Sequence, residues 1–224
     1  MSFSIITPSC GKRPRALALA IRSVLVAWDH VRATGEGCDI EMLIGFDGIT
    51  PEDFIAPHFV RAVTFPFQGC FGNPIRNALI KTAKGRFLIF LDDDNALTPQ
   101  AFTAFFGAMN ADVIIGRIDT HRAFAEPFLP RPSTGGERIV PGNIDPLCIA
   151  VRTEFVRTQG KGWQNEGGYE SDYLNILRYV PRARLVTYID DIVGVYDAGR
   201  GLDPQGTNAR QGRLPIPLPW SIHG

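Results

Sequence analysis

Three adjacent carboxylates, Asp92-Asp93-Asp94, close the apolar run Phe87 to Leu91. Like charges this close repel, so the triplet must be solvated or neutralised by a ligand. Carboxylate oxygens are hard ligands that suit Mg²⁺ or Mn²⁺ bridging to phosphates. A second acid, Asp47, ends the apolar run Glu41 to Phe46, where a carboxylate can accept hydrogen bonds from a base N–H or from ribose hydroxyls. Arg13 and Arg76 supply donors for phosphate or for a carboxylate of the cluster. Together these residues describe a nucleotide diphosphate site. A third group, Glu170-Ser171-Asp172, opens a helical pattern, and either acid could take a proton from an acceptor hydroxyl. The glycine-rich stretch Gly160 to Gly168 before it could fold over an acceptor, with Trp163 stacked on a sugar ring and Tyr169 beside it. Plainer readings exist for each: Asn95 or Asp94 as the cap of a helix beginning near Pro99, Asp172 as a first-turn acid, Trp163 as half-buried packing.

These side chains need a scaffold that brings strand ends together. Phe3 to Thr7 reads as a strand, Pro8 to Gly11 as a turn, and Pro14 to Val31 as a helix with Leu17, Ala20, Ile21, Val24, Leu25 and Trp28 on one face. Strands follow at Glu41 to Phe46 and at Val60 to Phe67, the latter edge-like because Pro66 removes a ladder donor. A helix over Ile75 to Ala83 ends at Gly85, expected as a left-handed cap, before the run Phe87 to Leu91, which has the composition of a strand buried on both faces. Strand and helix alternating at this cadence predict βαβ units, a mainly parallel sheet flanked by helices, and strand ends that face one way. Ligands sit outside such ends. Thr7, Pro8 and Arg13, then Asp47, then the triplet would share one site.

Beyond the triplet, a Phe-rich helix over Pro99 to Met109 and a strand over Asp112 to Ile118 are expected. The proline-rich stretch Asp119 to Pro141 predicts loops or a small antiparallel insertion. An apolar segment over Ile144 to Val151, helices over Thr153 to Thr158 and Tyr169 to Tyr179, and strands at Leu185 to Tyr188 and Ile192 to Tyr196 complete the pattern. The expected organisation is one domain over 1–198, with a donor half over 1–98 and an acceptor half over 99–198, followed by a flexible loop and arm over 199–224. The loop Asp197 to Arg213 is expected to close over the donor.

The 224 residues, 45% hydrophobic, carry 23 basic and 23 acidic side chains. That balance argues against a general nucleic-acid binder, which needs a basic excess to displace counterions. Cys10, Cys38, Cys70 and Cys148 form no CxxC pair and read as reduced thiols. No stretch approaches the ~20 apolar residues of a membrane span. The expectation is a cytoplasmic protein, with contact at the inner membrane face left open.

Gly72-Asn73-Pro74-Ile75-Arg76-Asn77-Ala78 leading into FLIFLDDDNALTP resembles the family 2 glycosyltransferase pattern of an Arg-Asn helix, a buried strand, the DXD signature and a Pro. The opening SIITPSCGKRPRALALAIRSVL and the strand ending Phe46-Asp47-Gly48 are similar to that family's first two strands, and Asp172 followed six places on by Arg178 resembles its later acidic motif. The resemblance runs in order over roughly residues 3 to 196 and implies a GT-A fold, a nucleotide-sugar donor with UDP as leading carrier, a divalent cation (Mn²⁺ or Mg²⁺), and inverting transfer to a hydroxyl of a glycan or similar acceptor in polysaccharide assembly. It implies that Asp47 holds the base, Asp93 or Asp92 the ribose, Asp94 the metal, Arg76 a carboxylate or phosphate, and that Asp172 is the catalytic base, with Glu170 sharing or replacing it. Two departures stand out: Asn95 where the common DXDD form has an acid, and Ser171 interrupting the Glu-Asp pair. A silent nucleotide- or sugar-binding module of the same fold, and a nucleotidyltransferase, are the alternatives.

Overall fold

A computed structural model describes residues 2–52, 54–132, 138–165 and 168–204. In chain order the elements are β1 (Phe3–Ser9), α1 (Pro14–Ala33), β2 (Ile40–Asp47), β3 (Val60–Phe65), α2 (Asn73–Thr82), β4 (Phe87–Phe90), β5 (Ala96–Leu97), α3 (Ala101–Phe106), β6 (Val113–Asp119), β7 (Phe128–Leu129), β8 (Ile149–Arg152), α4 (Thr153–Arg157), α5 (Ser171–Tyr179) and β9 (Val186–Val195). Among the described residues the strands form one sheet, ordered β3-β2-β1-β4-β8-β6-β9-β5, with β7 on β6.

The first four strands are parallel, joined by α1 and α2 as crossovers. In register, Ile5 lies between Met42 and Ile89, three fully buried side chains, as a strand covered on both faces requires. β3 is the edge, mostly exposed, as Pro66 implies. β8 runs antiparallel to both β4 and β6, and β6 is parallel to β9. The β8 reversal separates the four parallel strands from the rest of the sheet. Within 119–141, β7 pairs antiparallel with β6, and residues 133–137 lie outside the described part. Among the described residues no helix is long and apolar enough to cross a membrane.

Four local expectations need correction. Gly85 is not left-handed; α2 ends at Ala83 in extended backbone. Gly85 is demanded by proximity instead, since a Cβ there would lie 2.3 Å from the Ser4 nitrogen, while its own N–H donates to Ser4 Oγ (2.7 Å). The helix-cap reading of Asp94 or Asn95 also falls: β5 intervenes, and α3 starts only at Ala101 after Gln100. The two late strands are one, β9, whose pairing with β6 shifts register around Arg117. Finally, the stretch 197–204 is packed in place. Its Asp203 carboxylate accepts the α1 N-terminal amides of Arg15 (3.1 Å) and Ala16 (2.8 Å), a helix cap supplied from the far end of the chain. Residues 205–224, with the rest of the expected closing loop and arm, lie outside the described part.

Candidate donor and acceptor cleft

The ends of β1, β2 and β4 open into one cleft of about 680 Å³. Pro8, Arg13, Asp47, Arg76, Asp92, Asp93, Asp94, Glu170 and Asp172, nine of the residues expected to do chemistry, line it. Thr7 does not: it is fully buried within β1. It lies within the strand, short of the turn where the chain opens to the site.

The triplet divides between two arginines. Asp93 is fully buried, accepts from Ser9 Oγ (2.6 Å) and lies 2.5 Å from Arg13 Nη2, and Arg13 also bonds Asp94. Arg13 sits at the start of α1, where the β1 turn delivers it. That turn is close-packed, since a Cβ on Gly11 would stand 2.2 Å from the Ile49 carbonyl oxygen. Asp92 instead bonds Arg76, on α2. Arg76 is buried, donates to the Phe71 carbonyl (2.8 Å), lies over the Trp163 ring (5.5 Å), and stands 4.0 Å from Asp172 Oδ1. One guanidinium thus joins the triplet to the acid expected as base.

Asp172 occupies the first turn of α5, after the N-cap Glu170, and its Oδ1 is buried without a hydrogen-bond partner. It is thus a first-turn acid, as the plainer reading has it, that also lines the cleft. Burial pushes its carboxyl up to about 6, with Arg76 opposing and Asp92 adding to the rise. Glu170 stands in the short 3-10 turn before α5 and is exposed at the cleft. Burial likewise raises Asp94, to about 7, with Asp93, Asp92 and Asp197 contributing against Arg13. Asp93 is also raised by burial, against Arg13 and Ser9. Burial works against the Arg13 charge, but Asp93 and Asp94 outweigh it and hold the guanidinium firmly protonated.

Asp47 accepts from the backbone N–H groups of Gln68 (2.6 Å) and Gly69 (2.8 Å), so it fixes the loop after β3 over the cleft. A carboxylate has further lone pairs for a ligand. Phe67 and Phe71, largely exposed, form the apolar rim on that side.

Trp163 is placed otherwise than expected. It is 2% exposed, packs on Phe90 (centroids 4.5 Å apart) and Tyr179 (6.3 Å), and donates from Nε1 to Asn73 Oδ1 (2.7 Å). No face is left for a sugar. The loop around it is pinned by Asn77, Asn175 and Arg178, which bond its backbone, so its polar, glycine-rich composition hides a core residue. Tyr169 lies in the turn Gly168–Glu170, and its side chain is outside the described part.

Asp145 is the residue sequence reasoning missed. It caps the 3-10 turn Pro146–Cys148 through the Leu147 N–H (2.9 Å) and lines the cleft. Burial, with Asp92 and Asp172 adding, holds its carboxyl well above the usual range. The Asp-Pro pair was a turn signal, but nothing local ties it to Asp172.

Seven carboxylates line the cleft (Asp47, Asp92, Asp93, Asp94, Asp145, Glu170, Asp172) against the guanidiniums of Arg13 and Arg76, which are engaged with the triplet. A diphosphate would bring further negative charge, and Asp94 is the carboxylate that could offer a hard oxygen to a divalent cation there. Among the described residues no three His, Cys, Asp or Glu side chains converge on one point. An ion here would be held at Asp94 and would supply positive charge to a bound diphosphate.

The family model described as "Glycosyl transferase family 2" matches residues 4–134. Among solved structures, S. aureus TarS 1-349 in complex with UDP superposes with a TM-score of 0.68 at 15% identity, covering 88% of this chain and 60% of that one. The same TarS fragment in complex with UDP-GlcNAc gives 0.66 at 16% identity, covering 88% and 58%. The chain thus spans about 60% of the length of these relatives. Their likeness establishes the fold as GT-A. No curated protein sequence matches the chain.

Proposed function

The chain belongs to glycosyl transferase family 2, and from that premise we propose that it moves a sugar from a UDP-sugar to a hydroxyl of a glycan or similar acceptor, with inversion and with a divalent cation bound. The observation that carries this is the Asp92–Arg76–Asp172 bridge: it sets a raised, partly buried acid across one cleft from the acids and arginine at the ends of β1 and β4. UDP as carrier is supported by the UDP and UDP-GlcNAc complexes of the TarS fragment, which shares the fold.

In this reading Asp172 removes the proton from the acceptor hydroxyl as its oxygen attacks the anomeric carbon, on the face opposite the departing diphosphate. A carboxyl held near 6 is ionised at neutral pH and is a stronger base than an ordinary aspartate. Glu170, exposed at the same cleft, is the second acid that could share the base role. Asp47 receives the base and Asp92, the partly exposed member of the triplet, the ribose, while the buried Asp93 holds Arg13 in place. Asp94 would hold the cation, which would supply charge neutralisation to the leaving diphosphate. Arg13 and Arg76 keep the triplet in place.

The test is binding followed by turnover. Thermal shift with UDP, GDP and TDP, with and without Mn²⁺, should show the largest stabilisation for UDP with metal, by mass action. UDP-sugar hydrolysis should then proceed in wild type and be lost in Asp172→Asn. Stabilisation by no nucleotide would refute the donor assignment. UDP binding without hydrolysis or transfer would identify a silent module.

A further inference from the structure

Asn73, the first residue of α2, is 1% exposed and has its whole hydrogen-bonding capacity engaged inside the fold. Its Oδ1 accepts from Trp163 Nε1 (2.7 Å) and Arg76 Nη1 (3.4 Å), and its Nδ2 donates to Ser171 Oγ (2.8 Å) and Asn165 Oδ1 (3.3 Å). Those are all the positions an amide offers. An indole N–H only donates, so the Trp163 bond fixes which way the amide faces and leaves Nδ2 for Ser171.

Ser171 opens α5 and is equally enclosed. Asn73 holds its hydroxyl, and Asn175, one turn on, donates from Nδ2 to its carbonyl oxygen (2.8 Å). Asn175 is itself fixed by the Gln164 N–H on its Oδ1 (2.8 Å). Arg76 stands one turn after Asn73 on the same face of α2, as residues three apart do. Asp172 follows Ser171. The two helices therefore meet in neighbouring pairs: Asn73 with Ser171 through a buried hydrogen bond, and Arg76 with Asp172 at 4.0 Å. The second pair is longer, and Asp172 Oδ1 has no hydrogen bond of its own. The place of that carboxylate is set by the backbone on which it stands.

We propose that Asn73 and Ser171 are positioning residues for the base: their hydrogen bond sets the first turn of α5 against α2, so that the Asp172 carboxylate faces Arg76 and the cleft. The inference rests on the reading of Asp172 as base above. It also gives a reason for Ser171, which interrupts the Glu-Asp pair. A hydroxyl accepts the Asn73 bond without charge, whereas a carboxylate there would add a buried charge beside a cleft that seven carboxylates already line. Neither Asn73 nor Ser171 lines the cleft, so neither is placed to touch the donor. A general base must lie within hydrogen-bond reach of the proton it takes, and a misplacement of about 1 Å can cost ~10²-fold in rate. Loss of the Asn73–Ser171 bond acts on turnover and leaves donor affinity alone.

The test follows hydrolysis of UDP-glucose, UDP-galactose and their N-acetyl forms with Mn²⁺, on the donor that wild type turns over fastest, together with UDP binding by calorimetry. Ser171→Ala should lower kcat at least about fivefold and leave the UDP Kd within about twofold of wild type. In the Asp172→Asn background the same change should alter the residual kcat less than about twofold, because a residue that acts through the base has nothing left to position. Should the alanine protein not fold, Ser171→Cys carries the test. Its sulfur is a weak acceptor, and kcat should fall at least about threefold with UDP affinity again unmoved. A kcat within twofold of wild type in the variant that folds overturns the proposal, as does an equal loss in UDP affinity or the same loss repeated on top of Asp172→Asn. Wild-type turnover in Asp172→Asn, or a wild type that hydrolyses no donor, would instead sink the base reading and this inference with it. That outcome differs from an inactive Asp172→Asn beside a fully active Ser171→Ala, which removes the positioning role alone.

Discussion

Replacing Asp172 by Asn should move stability and activity in opposite directions, and only in one pH window. Its carboxyl rises from 3.8 to about 6 in the folded chain. Two pH units correspond to about 3 kcal/mol against the ionised form if the group were fully shielded, at ~1.4 kcal/mol each. The side chain is 32% exposed, and solvent screening reduces this to roughly 1–2 kcal/mol. A carboxyl raised on folding binds its proton more tightly in the native state. The penalty is therefore absent below the unfolded value near 3.8, grows between there and about 6, and is complete above. Asn carries no charge and removes the penalty. In a chain of 224 residues each kcal/mol moves the melting temperature by about 2–4 °C. Asp172→Asn should melt roughly 2–8 °C above wild type at pH 8 and show no gain at pH 4, while sugar transfer falls by ~10²–10⁴ as expected for a lost general base. Thermal denaturation at the two pH values, with donor turnover at pH 8, decides it. A gain of equal size at both pH values, a loss at pH 8, or activity within threefold of wild type would refute the reasoning.

Two further substitutions probe the scaffold. Asp203→Ala removes the cap from two α1 amides and should lower stability by about 1–2 kcal/mol in urea unfolding, with a second effect on UDP affinity because the same segment touches Asp94. Trp163→Phe removes the Nε1 bond to Asn73 and part of a buried ring, so it should destabilise by roughly 1–3 kcal/mol while the KM for any acceptor stays within twofold. A large change in acceptor KM with unchanged stability would put the ring back in the cleft.

The donor-side fold was legible because burial on both faces leaves a plain signature. Phe3 to Thr7, Glu41 to Phe46 and Phe87 to Leu91 are apolar runs of strand length, and they became adjacent parallel strands whose ends carry the acids. Where tertiary contact overrides local pattern, reading failed. Trp163 lies in a stretch with no periodicity, and its burial depends on asparagines and an arginine from α2 and α5 that hold the loop's backbone. Gly85 was read through its own dihedral angles when its reason is the Ser4 backbone, far away in sequence. The stretch 197–204 looked like an arm because glycine and charge are loop chemistry, yet Asp203 and Gly199 find partners on α1 and at the triplet. Asp145 escaped notice for a related reason. It is an ordinary polar residue in a turn, and only the packing around it makes its charge unusual.

The triplet itself gains a physical division of labour. The triplet lies beyond the end of β4 at Phe90, with Asp93 and Asp94 in a turn. Asp93 turns to Ser9 and Arg13 on the β1–α1 side, whereas Asp92 turns to Arg76 on the α2 side. The intervening backbone is held by the Asn95 N–H on the Asp92 carbonyl (3.1 Å), which tightens the turn and brings Asp94 back to Arg13. Asp92, on sequence grounds the least certain of the three, is thereby the one joined to Asp172 through the guanidinium of Arg76. The Arg76 guanidinium, 4.0 Å from Asp172, favours the ionised form of that carboxyl and opposes the burial and the Asp92 charge that raise it.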